Sequence, residues 1–309
     1  MISEKTENEI SGRSDLWQYV EKYRTPIEEN LRKFLPLAPP NIETEFNEAL
    51  EYALFPGGKR LRPVLTLLGA EIIGGDAKKV LPAAMAAEFI HSSSLIFDDL
   101  PCMDNSAERR GKVSQHEKYG EGLAILVALG LLNASYALVF VNHLEQPERT
   151  IAAHAEIVEC VGASGMVGGQ SVDLALAKGA AAAAIDSPEN DYAFESSRNL
   201  KTSALMRLAL RVGAILAGAD YLQLKSLSRF AELLGDAYQL SDDLLDLQED
   251  GAIFETQKNF TQNYGQETAR LRLISLTEKA KRTLTENFSA TEAQNCLLQM
   301  TDYLVERKS

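Results

Sequence analysis

The chain has 309 residues, 45% of them hydrophobic and 24% charged, a composition typical of a globular protein. Its formal net charge of -13 argues against a nucleic-acid partner, although metal ions and local arginines still allow an acidic protein to bind an anionic substrate. Three cysteines without regular spacing do not indicate a disulfide framework and favour a reducing cytoplasm.

Helical periodicity dominates the sequence. We interpret residues 1–15 as a flexible leader, because they are polar and lack the apolar centre of a signal peptide, and residues 16–309 as one helical domain. Alternating strand patterns between tight turns are scarce, so an all-α bundle around a central cavity is expected. Apolar residues recur at three- and four-residue spacing in nine segments, which predicts helices over Glu43–Phe55, Pro63–Ile73, Lys79–Asp99, Gln115–His143, Pro147–Gly165, Ser197–Leu216, Leu222–Leu247, Gly265–Phe288 and Thr291–Arg307.

Two segments interrupt this pattern. Residues 122–141 are apolar enough and long enough to cross a bilayer, but Asn133, Ser135 and Tyr136 favour a helix buried on all sides in a helical core over a membrane span. Residues 175–191 carry an alanine run followed by polar residues, which predicts a surface insertion between two helices.

An acidic cluster lies on the predicted helix over Leu222–Leu247. Asp242 and Asp246 are four residues apart, so they share one face, and Asp243 is offset from them. Like charges at that spacing destabilise a helix unless a cation binds between them. A solvated acidic face is the alternative, but the surrounding leucines favour a metal site.

A second cluster closes the predicted helix that ends at Asp99. Asp98 and Asp99 precede Asp104, which would not return to the same face of a straight helix. Pro101 interrupts the helix, so the chain can fold Asp104 back towards Asp98. The alternative is that Asp98 and Asp99 cap one helix while Asp104 begins the next.

Three basic sites alternate with these clusters. Lys59-Arg60-Leu61-Arg62 follows a glycine pair, Arg109-Arg110 follows the first cluster, and Lys201-Thr202 lies on a predicted helix. Glycines allow backbone to approach an anion, and arginine forks match phosphate oxygens. The combination predicts two anion sites, one that acts through metal ions and one that binds the anion directly.

The two aspartate clusters and the three basic sites together resemble those of the trans-isoprenyl diphosphate synthases, most closely the bacterial geranylgeranyl diphosphate synthases. The resemblance implies Mg2+-dependent condensation of isopentenyl diphosphate with an allylic diphosphate (dimethylallyl, geranyl or farnesyl), with about three Mg2+ ions per site, and it implies a homodimer. The motifs appear in family order across roughly residues 50–250: Gly57-Gly58-Lys59-Arg60-Leu61-Arg62-Pro63, Asp98-Asp99-x4-Asp104, Arg109-Arg110-Gly111, Gly169-Gln170-x2-Asp173-Leu174, Lys201-Thr202 and Gln239-x2-Asp242-Asp243-x2-Asp246.

The resemblance also implies a role for each matching residue. Metal ligands would be Asp98, Asp104, Asp242 and Asp246, with Asp99 and Asp243 in support. Residues around the allylic diphosphate would be Arg109, Lys201 and Gln239, with Thr202 shielding the cation that forms. Residues that bind isopentenyl diphosphate would be Lys59, Arg62, His91 and Arg110.

The sequence departs from the family pattern beyond the second cluster. Thr256, Thr261 and Gln266 stand where the family has glycine-lysine, aspartate and glycine-lysine, and Lys258 is the nearest replacement for the first lysine. This departure leaves open a weakly active regulatory subunit of another prenyl synthase. A class I terpene cyclase is a further alternative, although a cyclase does not need Lys59, Arg62 and Arg110 for a second substrate. A helical binding module is another, although it would leave the acidic clusters in their apolar surroundings without a reason.

Product length follows from the space beneath the first cluster. Ser94 and Ser93 lie four and five residues before Asp98, on the side of the helix where the growing tail runs. Two small side chains leave this chain-length pocket deep, with Phe89 and Ile90 one turn further as its expected floor. This depth, together with the resemblance of residues 93–104 and 124–132 to geranylgeranyl diphosphate synthases, predicts a C20 product, with farnesyl or longer polyprenyl products as the alternatives.

Overall fold

A computed structural model describes residues 15–55, 57–142, 144–177, 188–249, 261 and 264–307, with the side chains of 176–177, 188–200 and 246–249 outside the description. The predicted all-α fold is confirmed. Lys258, Thr256 and most of the expected leader and insertion lie outside the described residues. The helices are α1 (Asp15–Lys33), α2 (Phe46–Leu54), α3 (Leu61–Glu71), α4 (Leu81–Asp99), α5 (Gln115–Tyr119), α6 (Glu121–Leu138), α7 (Pro147–Val161), α8 (Met166–Ala177), α9 (Pro188–Ala217), α10 (Tyr221–Glu249), α11 (Gln266–Asn287) and α12 (Glu292–Glu306).

Helix α4 is the buried centre of the bundle. Pro82 lies in its first turn, where a missing amide hydrogen costs nothing. Nearly all of its first thirteen side chains are buried, including Glu88 and His91. It packs against α3 on one side and α6 on another, while α9 packs between α3 and α10. Because α4 ends at Asp99, the first acidic cluster is carried by the most enclosed helix of the fold.

Helices α3 and α9 approach each other more closely than side chains would allow. A Cβ on Gly69 would overlap the Leu210 carbonyl, and a Cβ on Gly213 would overlap the Thr66 carbonyl. Backbone therefore contacts backbone at this crossing, and α3 and α9 interact more extensively than the other helix pairs described. The crossing fixes the start of α3, which carries Arg62, relative to α9, which carries Lys201.

Four local features differ from the periodicity prediction, and the first is helix α1, which none of the nine predicted segments covers. The segment Gln115–His143 is divided at Gly120, whose φ of 82° ends α5 and precedes α6. Helix α8 was not predicted, because its polar and glycine residues carry little apolar periodicity. A two-residue antiparallel hairpin pairs β1 (Glu108–Arg109) with β2 (Lys112–Val113), and strands this short give no alternation signal.

The prediction that the apolar segment 122–141 is buried on all sides is wrong. Within the described part of the chain, α6 alone is long and apolar enough to span a membrane, and one third of that window is buried. Ala124, Val127 and Leu131 face the core, whereas Leu126 is 56% and Leu129 is 48% exposed. Because α6 is apolar on every side, its sequence has no periodicity that distinguishes the buried face from the exposed one.

Candidate active site

The backbone after α4 folds the first acidic cluster into a compact loop. The helix ends before Pro101, as predicted, with the Leu100 amide bonded to the Phe97 carbonyl at 3.3 Å. The Asp104 amide then donates to the Asp98 carbonyl at 2.9 Å. The return of Asp104 towards Asp98 is therefore confirmed, and the loop presents carboxylates from both of its ends.

Asp98 is a buried carboxylate that pairs with a lysine from another helix. Lys201 Nζ on α9 lies 2.5 Å from Asp98 Oδ2 and 2.7 Å from Gln170 Oε1 on α8. Burial raises the pKa of Asp98, and nearby Asp104 raises it further, while Lys201 opposes both effects. The pKa of Asp98 stays raised, so the ion pair with Lys201 does not fully offset the cost of burying the charged carboxylate.

Asp99 pairs with an arginine from the hairpin. Arg109 lies on β1, and its Nε donates to Asp99 Oδ1 at 2.9 Å while its Nη2 contacts the same oxygen. The acidic neighbours raise the pKa of Arg109 in spite of burial, which opposes that rise. The hairpin therefore brings Arg109 to the mouth of the site, where the sequence analysis expected an anion contact.

The second cluster lies on α10 and is partly covered by the end of the chain. Asp243 is buried, whereas the side chain of Asp242 is 41% exposed. Arg307, which follows α12, donates from Nη2 to Asp242 Oδ1 at 2.6 Å. Asp246 shares this helix, but its side chain lies outside the described residues.

The first basic site separates its arginines into two roles. Arg60 has a φ of 53° at the start of α3, and its guanidinium turns inward into the space above Gly57. There it bonds Glu88 Oε1 at 2.6 Å and Glu28 Oε1 at 2.8 Å. Arg60 thus anchors the loop and has a structural role, unlike the anion-binding role expected of Lys59 and Arg62.

Lys59 and Arg62 differ in their surroundings. Lys59 Nζ contacts the Tyr303 hydroxyl of α12 at 2.5 Å and lies 5.2 Å from the centre of that ring. Arg62 Nε is buried and has no hydrogen-bond partner among the described residues, and burial lowers the pKa of Arg62. A buried, unpaired guanidinium nitrogen is the arrangement that an oxyanion would satisfy.

His91 and Arg110 complete this cationic group. Arg110 Nη2 lies 3.2 Å from His91 Nε2, so the histidine can accept from the guanidinium when it is neutral. Burial, together with Arg62 and Arg110, lowers the pKa of His91 well below its ordinary value. The site therefore collects positive charge from arginines and keeps its histidine neutral.

An apolar cavity of about 320 Å3 extends from the first cluster into the bundle. Asp98 and Lys201 stand among its lining residues, together with Ser93, Ser94 and Ile90 of α4. Phe89 lies in the closed core and is not part of the wall, so the expected floor is corrected at that position. The further walls come from other helices: Leu132 of α6, Val161 of α7 and Met166, Val167 and Leu174 of α8.

The donor chemistry of the two clusters suits a hard divalent cation. Their potential ligands are carboxylate oxygens, which Mg2+ prefers. Within the described ranges no group of three acidic, histidine or cysteine side chains is already arranged around a cation position. Instead Lys201 and Arg307 place positive groups on Asp98 and Asp242, where a cation would otherwise stand. Asp98, Asp104 and Asp242 therefore have the oxygen donors that such an ion needs, and two of them already pair with a positively charged side chain.

Several contacts of the site were missed by the sequence analysis. Gln170 was quoted only as part of a motif, yet it holds Lys201, and Thr202 Oγ1 bonds Gln239 Oε1 at 3.3 Å, linking α9 to α10. Glu88, Tyr303 and Arg307 were not singled out. Only Glu88 carried a signal: it is an acidic residue in an apolar helix, three residues before His91.

A helical bundle with two acidic clusters, a cationic site and an apolar cavity defines an enzyme class that handles diphosphate esters of hydrocarbon chains. The chain belongs to the polyprenyl synthetase family, whose model matches residues 43–303. It is a trans-prenyltransferase, as the sequence motifs predicted.

Similar proteins support this assignment from different organisms. The chain is 32% identical over 300 residues to a chloroplastic geranylgeranyl pyrophosphate synthase of Capsicum annuum, covering 94% of this chain and 78% of that protein. It is 36% identical to a geranylgeranyl diphosphate synthase of Cyanophora paradoxa, covering 75% of each.

Solved structures show the same architecture. An FPP/GFPP synthase from Zymomonas mobilis superimposes with a TM-score of 0.81 at 29% identity, covering 94% of this chain and 99% of that one. A geranyltransferase from Legionella pneumophila gives a TM-score of 0.80 at 28% identity, covering 95% and 97%.

Proposed function

We propose that the protein condenses isopentenyl diphosphate with an allylic diphosphate in the presence of Mg2+, and that its main product is geranylgeranyl diphosphate. One observation carries the product assignment: the apolar cavity that begins at Asp98 is lined by the small side chains of Ser93 and Ser94. The similar proteins named for geranylgeranyl synthesis support the same length, whereas the FPP/GFPP synthase keeps C15 and C25 as the competing outcomes.

The allylic substrate is oriented by charge at one end and by the cavity at the other. Asp98, Asp104, Asp242 and Asp246 would hold the metal ions, about three per site, which supply electrophilic stabilisation of the departing diphosphate. Lys201 and Arg109 already lie against the first cluster, so they can shift to phosphate oxygens when the substrate enters. The hydrocarbon tail then occupies the apolar cavity, which excludes water from the allylic cation.

The second substrate binds at the cationic group. Arg62 Nε gains the acceptor that it lacks, and Lys59 and Arg110 add further phosphate contacts. His91 remains neutral, because burial and the arginines lower its pKa, so it interacts as a hydrogen-bonding group rather than as a cation. Thr202 of α9 donates to Gln239 of α10, and this pair would shield the cation that forms and contact the allylic diphosphate.

A chain-length assay tests this function. Purified protein is incubated with isopentenyl diphosphate, Mg2+ and dimethylallyl, geranyl or farnesyl diphosphate in turn, and the dephosphorylated products are separated by length. A dominant C20 product supports the proposal, and a C15 or C25 product would limit it to the reaction class. Absence of elongation by folded protein with all three primers would instead favour a regulatory subunit, and a cyclic hydrocarbon would indicate a terpene cyclase.

We also propose that the enzyme is a homodimer that buries the exposed face of α6. Leu126, Leu129 and Asn133 follow an exposed stripe on α6, and Phe140, in the turn after α6, meets His154 of α7 at a ring separation of 5.6 Å. Ile151 and Val158 of α7 flank His154 and are 63% and 49% exposed. An apolar face of this extent favours a second copy of the same chain.

Light scattering measures the oligomeric state directly. Leu129→Glu places a charge in the centre of the exposed stripe, so we expect it to yield monomer at concentrations where the wild type is dimeric. Leu271→Glu, on a leucine of α11 that is 60% exposed, is the control for adding a charge to an exposed leucine elsewhere on the surface. A monomeric wild type, or a Leu129→Glu variant that remains dimeric, would refute this interface.

A further inference from the structure

Arg307 is a fixed cation at the edge of the second acidic cluster. Its side chain is only 5% exposed although it follows the last helix. Nε donates to Ser241 Oγ at 2.6 Å, and Nη2 donates to the Tyr238 carbonyl at 3.0 Å. The guanidinium also lies 4.4 Å from the centre of the Tyr238 ring. None of these contacts involves Asp242, so they hold Arg307 in place whatever Asp242 binds.

Asp242 is the exposed member of this pair. Its side chain is 41% exposed, eight times the exposed fraction of Arg307. A single oxygen, Oδ1, accepts from the guanidinium at 2.6 Å. The carboxylate of Asp242 is therefore open to solvent and ions, whereas the guanidinium beside it stays enclosed by its contacts to Ser241 and Tyr238.

The first cluster has the opposite arrangement. There Asp98 is the enclosed member, with a side chain that is 9% exposed, and Lys201 is the more exposed partner at 23%. A lysine on a flexible stem can leave its carboxylate when a metal ion approaches. Arg307 cannot leave in this way, so its positive charge stays beside any cation that binds Asp242.

We propose that Arg307 is an internal counter-cation that holds Asp242 in the substrate-free enzyme and opposes metal binding at the second cluster until a diphosphate arrives. This inference rests on the proposed metal-dependent function. A divalent ion at Asp242 must both displace an ion pair and tolerate a fixed positive neighbour. A diphosphate brings several negative charges to the same place, which compensates the guanidinium and makes joint binding of metal and substrate favourable.

The consequence is an ordered filling of the site. The second cluster would bind its metal together with the diphosphate rather than before it, so the free enzyme would not collect cations there. Arg307 is thus a positioning residue that acts through Asp242, and its removal should change metal affinity in the absence of any substrate.

Manganese binding measures this effect without an activity assay. In an Asp98→Asn, Asp104→Asn background, which removes the expected ligands of the first cluster, Mn2+ is titrated and the free ion is followed by electron paramagnetic resonance. Arg307→Met keeps a long apolar stem but removes the charge. We expect it to bind Mn2+ about three- to tenfold more tightly than the background, since one nearby positive charge is lost at a partly exposed site.

Two variants separate charge from shape. Arg307→Lys keeps the charge but carries it on a flexible stem, so it should tighten Mn2+ binding by less than Arg307→Met does. Arg307→Gln repeats the loss of charge while keeping a donor for Ser241 or the Tyr238 carbonyl, and it replaces Arg307→Met if that variant fails to fold. Lys281→Met is the matched control, because it removes a lysine that pairs with Asp302 of α12 at 2.6 Å, away from the cluster.

Unchanged or weaker Mn2+ binding in the neutral variants would overturn the inference, and weaker binding would make Arg307 an orienting partner of the metal ligand. Equal tightening in Lys281→Met would also overturn it, because net charge alone would then explain the result. Failure of the proposed function is distinguishable, since it appears as absence of prenyl elongation by the wild-type enzyme with Mg2+.

Discussion

The two acidic clusters reach similar chemistry through different backbones. The first is a loop closed by the hydrogen bond from the Asp104 amide to the Asp98 carbonyl. Its carboxylates pair with Lys201 of α9 and Arg109 of the hairpin. The second lies along one helix and receives Arg307 from the end of the chain. Carboxylates spaced differently in sequence can therefore offer the same donor set, because a proline turn supplies what helical spacing does not.

The largest expected effect tests whether the first cluster is indispensable. Asp98→Asn removes the buried carboxylate that faces both Lys201 and the cavity. We expect kcat/KM to fall by about 10²- to 10³-fold, the size typical when one electrostatic contact to a transition state is lost. Steady-state kinetics with Mg2+ measure it, and Glu278→Gln on the exposed face of α11 should retain wild-type rates. A loss of less than tenfold would contradict a metal-binding role for Asp98.

A second substitution tests whether the cavity beside the first cluster determines product length, a role that the second cluster does not have in this proposal. Ser93→Phe adds an aromatic ring to the wall of the apolar cavity, next to Asp98. We expect the main product to shorten from C20 towards C15, because the ring occupies volume needed by the growing tail. Product chromatography measures the shift, and Ser93→Ala, which adds no bulk, should leave the distribution unchanged. Equal product lengths for all three enzymes would refute the chain-length assignment.

A smaller effect is expected from the residue that holds Lys201. Gln170→Leu keeps the size of the side chain but removes the acceptor 2.7 Å from Lys201 Nζ. The loss of one hydrogen bond to a charged group should raise KM for the allylic diphosphate about two- to tenfold. KM for isopentenyl diphosphate serves as the internal control, because its binding residues do not contact Gln170. A change in both constants would show that the substitution disturbs the whole bundle.

The smallest effect concerns stability rather than rate. Because burial raises the pKa of Asp98, ionisation of this carboxyl disfavours the folded state, and stability is lost as pH rises from the ordinary aspartate range through the raised pKa. Asp98→Asn should therefore raise the melting temperature of the metal-free protein at neutral pH. The gain should shrink as the pH is lowered towards the ordinary range. Thermal melts across that pH series measure it, and a lower melting temperature at neutral pH would show that the ion pair with Lys201 dominates.

The sequence predicted local geometry better than distant contacts. Pro101 has a local effect on the backbone, so the return of Asp104 to Asp98 could be predicted from spacing alone. The contacts of Lys59 with Tyr303 and of Arg307 with Asp242 join residues 244 and 65 positions apart, and no periodicity encodes such pairs. The exposed face of α6 was missed for a related reason, since apolar side chains on every side conceal which ones pack.

The close crossing of α3 and α9 also determines how precisely the substrates meet. Gly69 and Gly213 leave backbone against backbone, so the distance from the start of α3 to Lys201 depends on atoms that never touch a ligand. One added methyl group at either glycine would push apart the residues that we propose to bind the two diphosphates. The reacting carbon atoms would then miss each other by a fraction of an ångström, with every catalytic side chain still present. The alignment of the two substrates thus depends partly on Gly69 and Gly213 having no side chain.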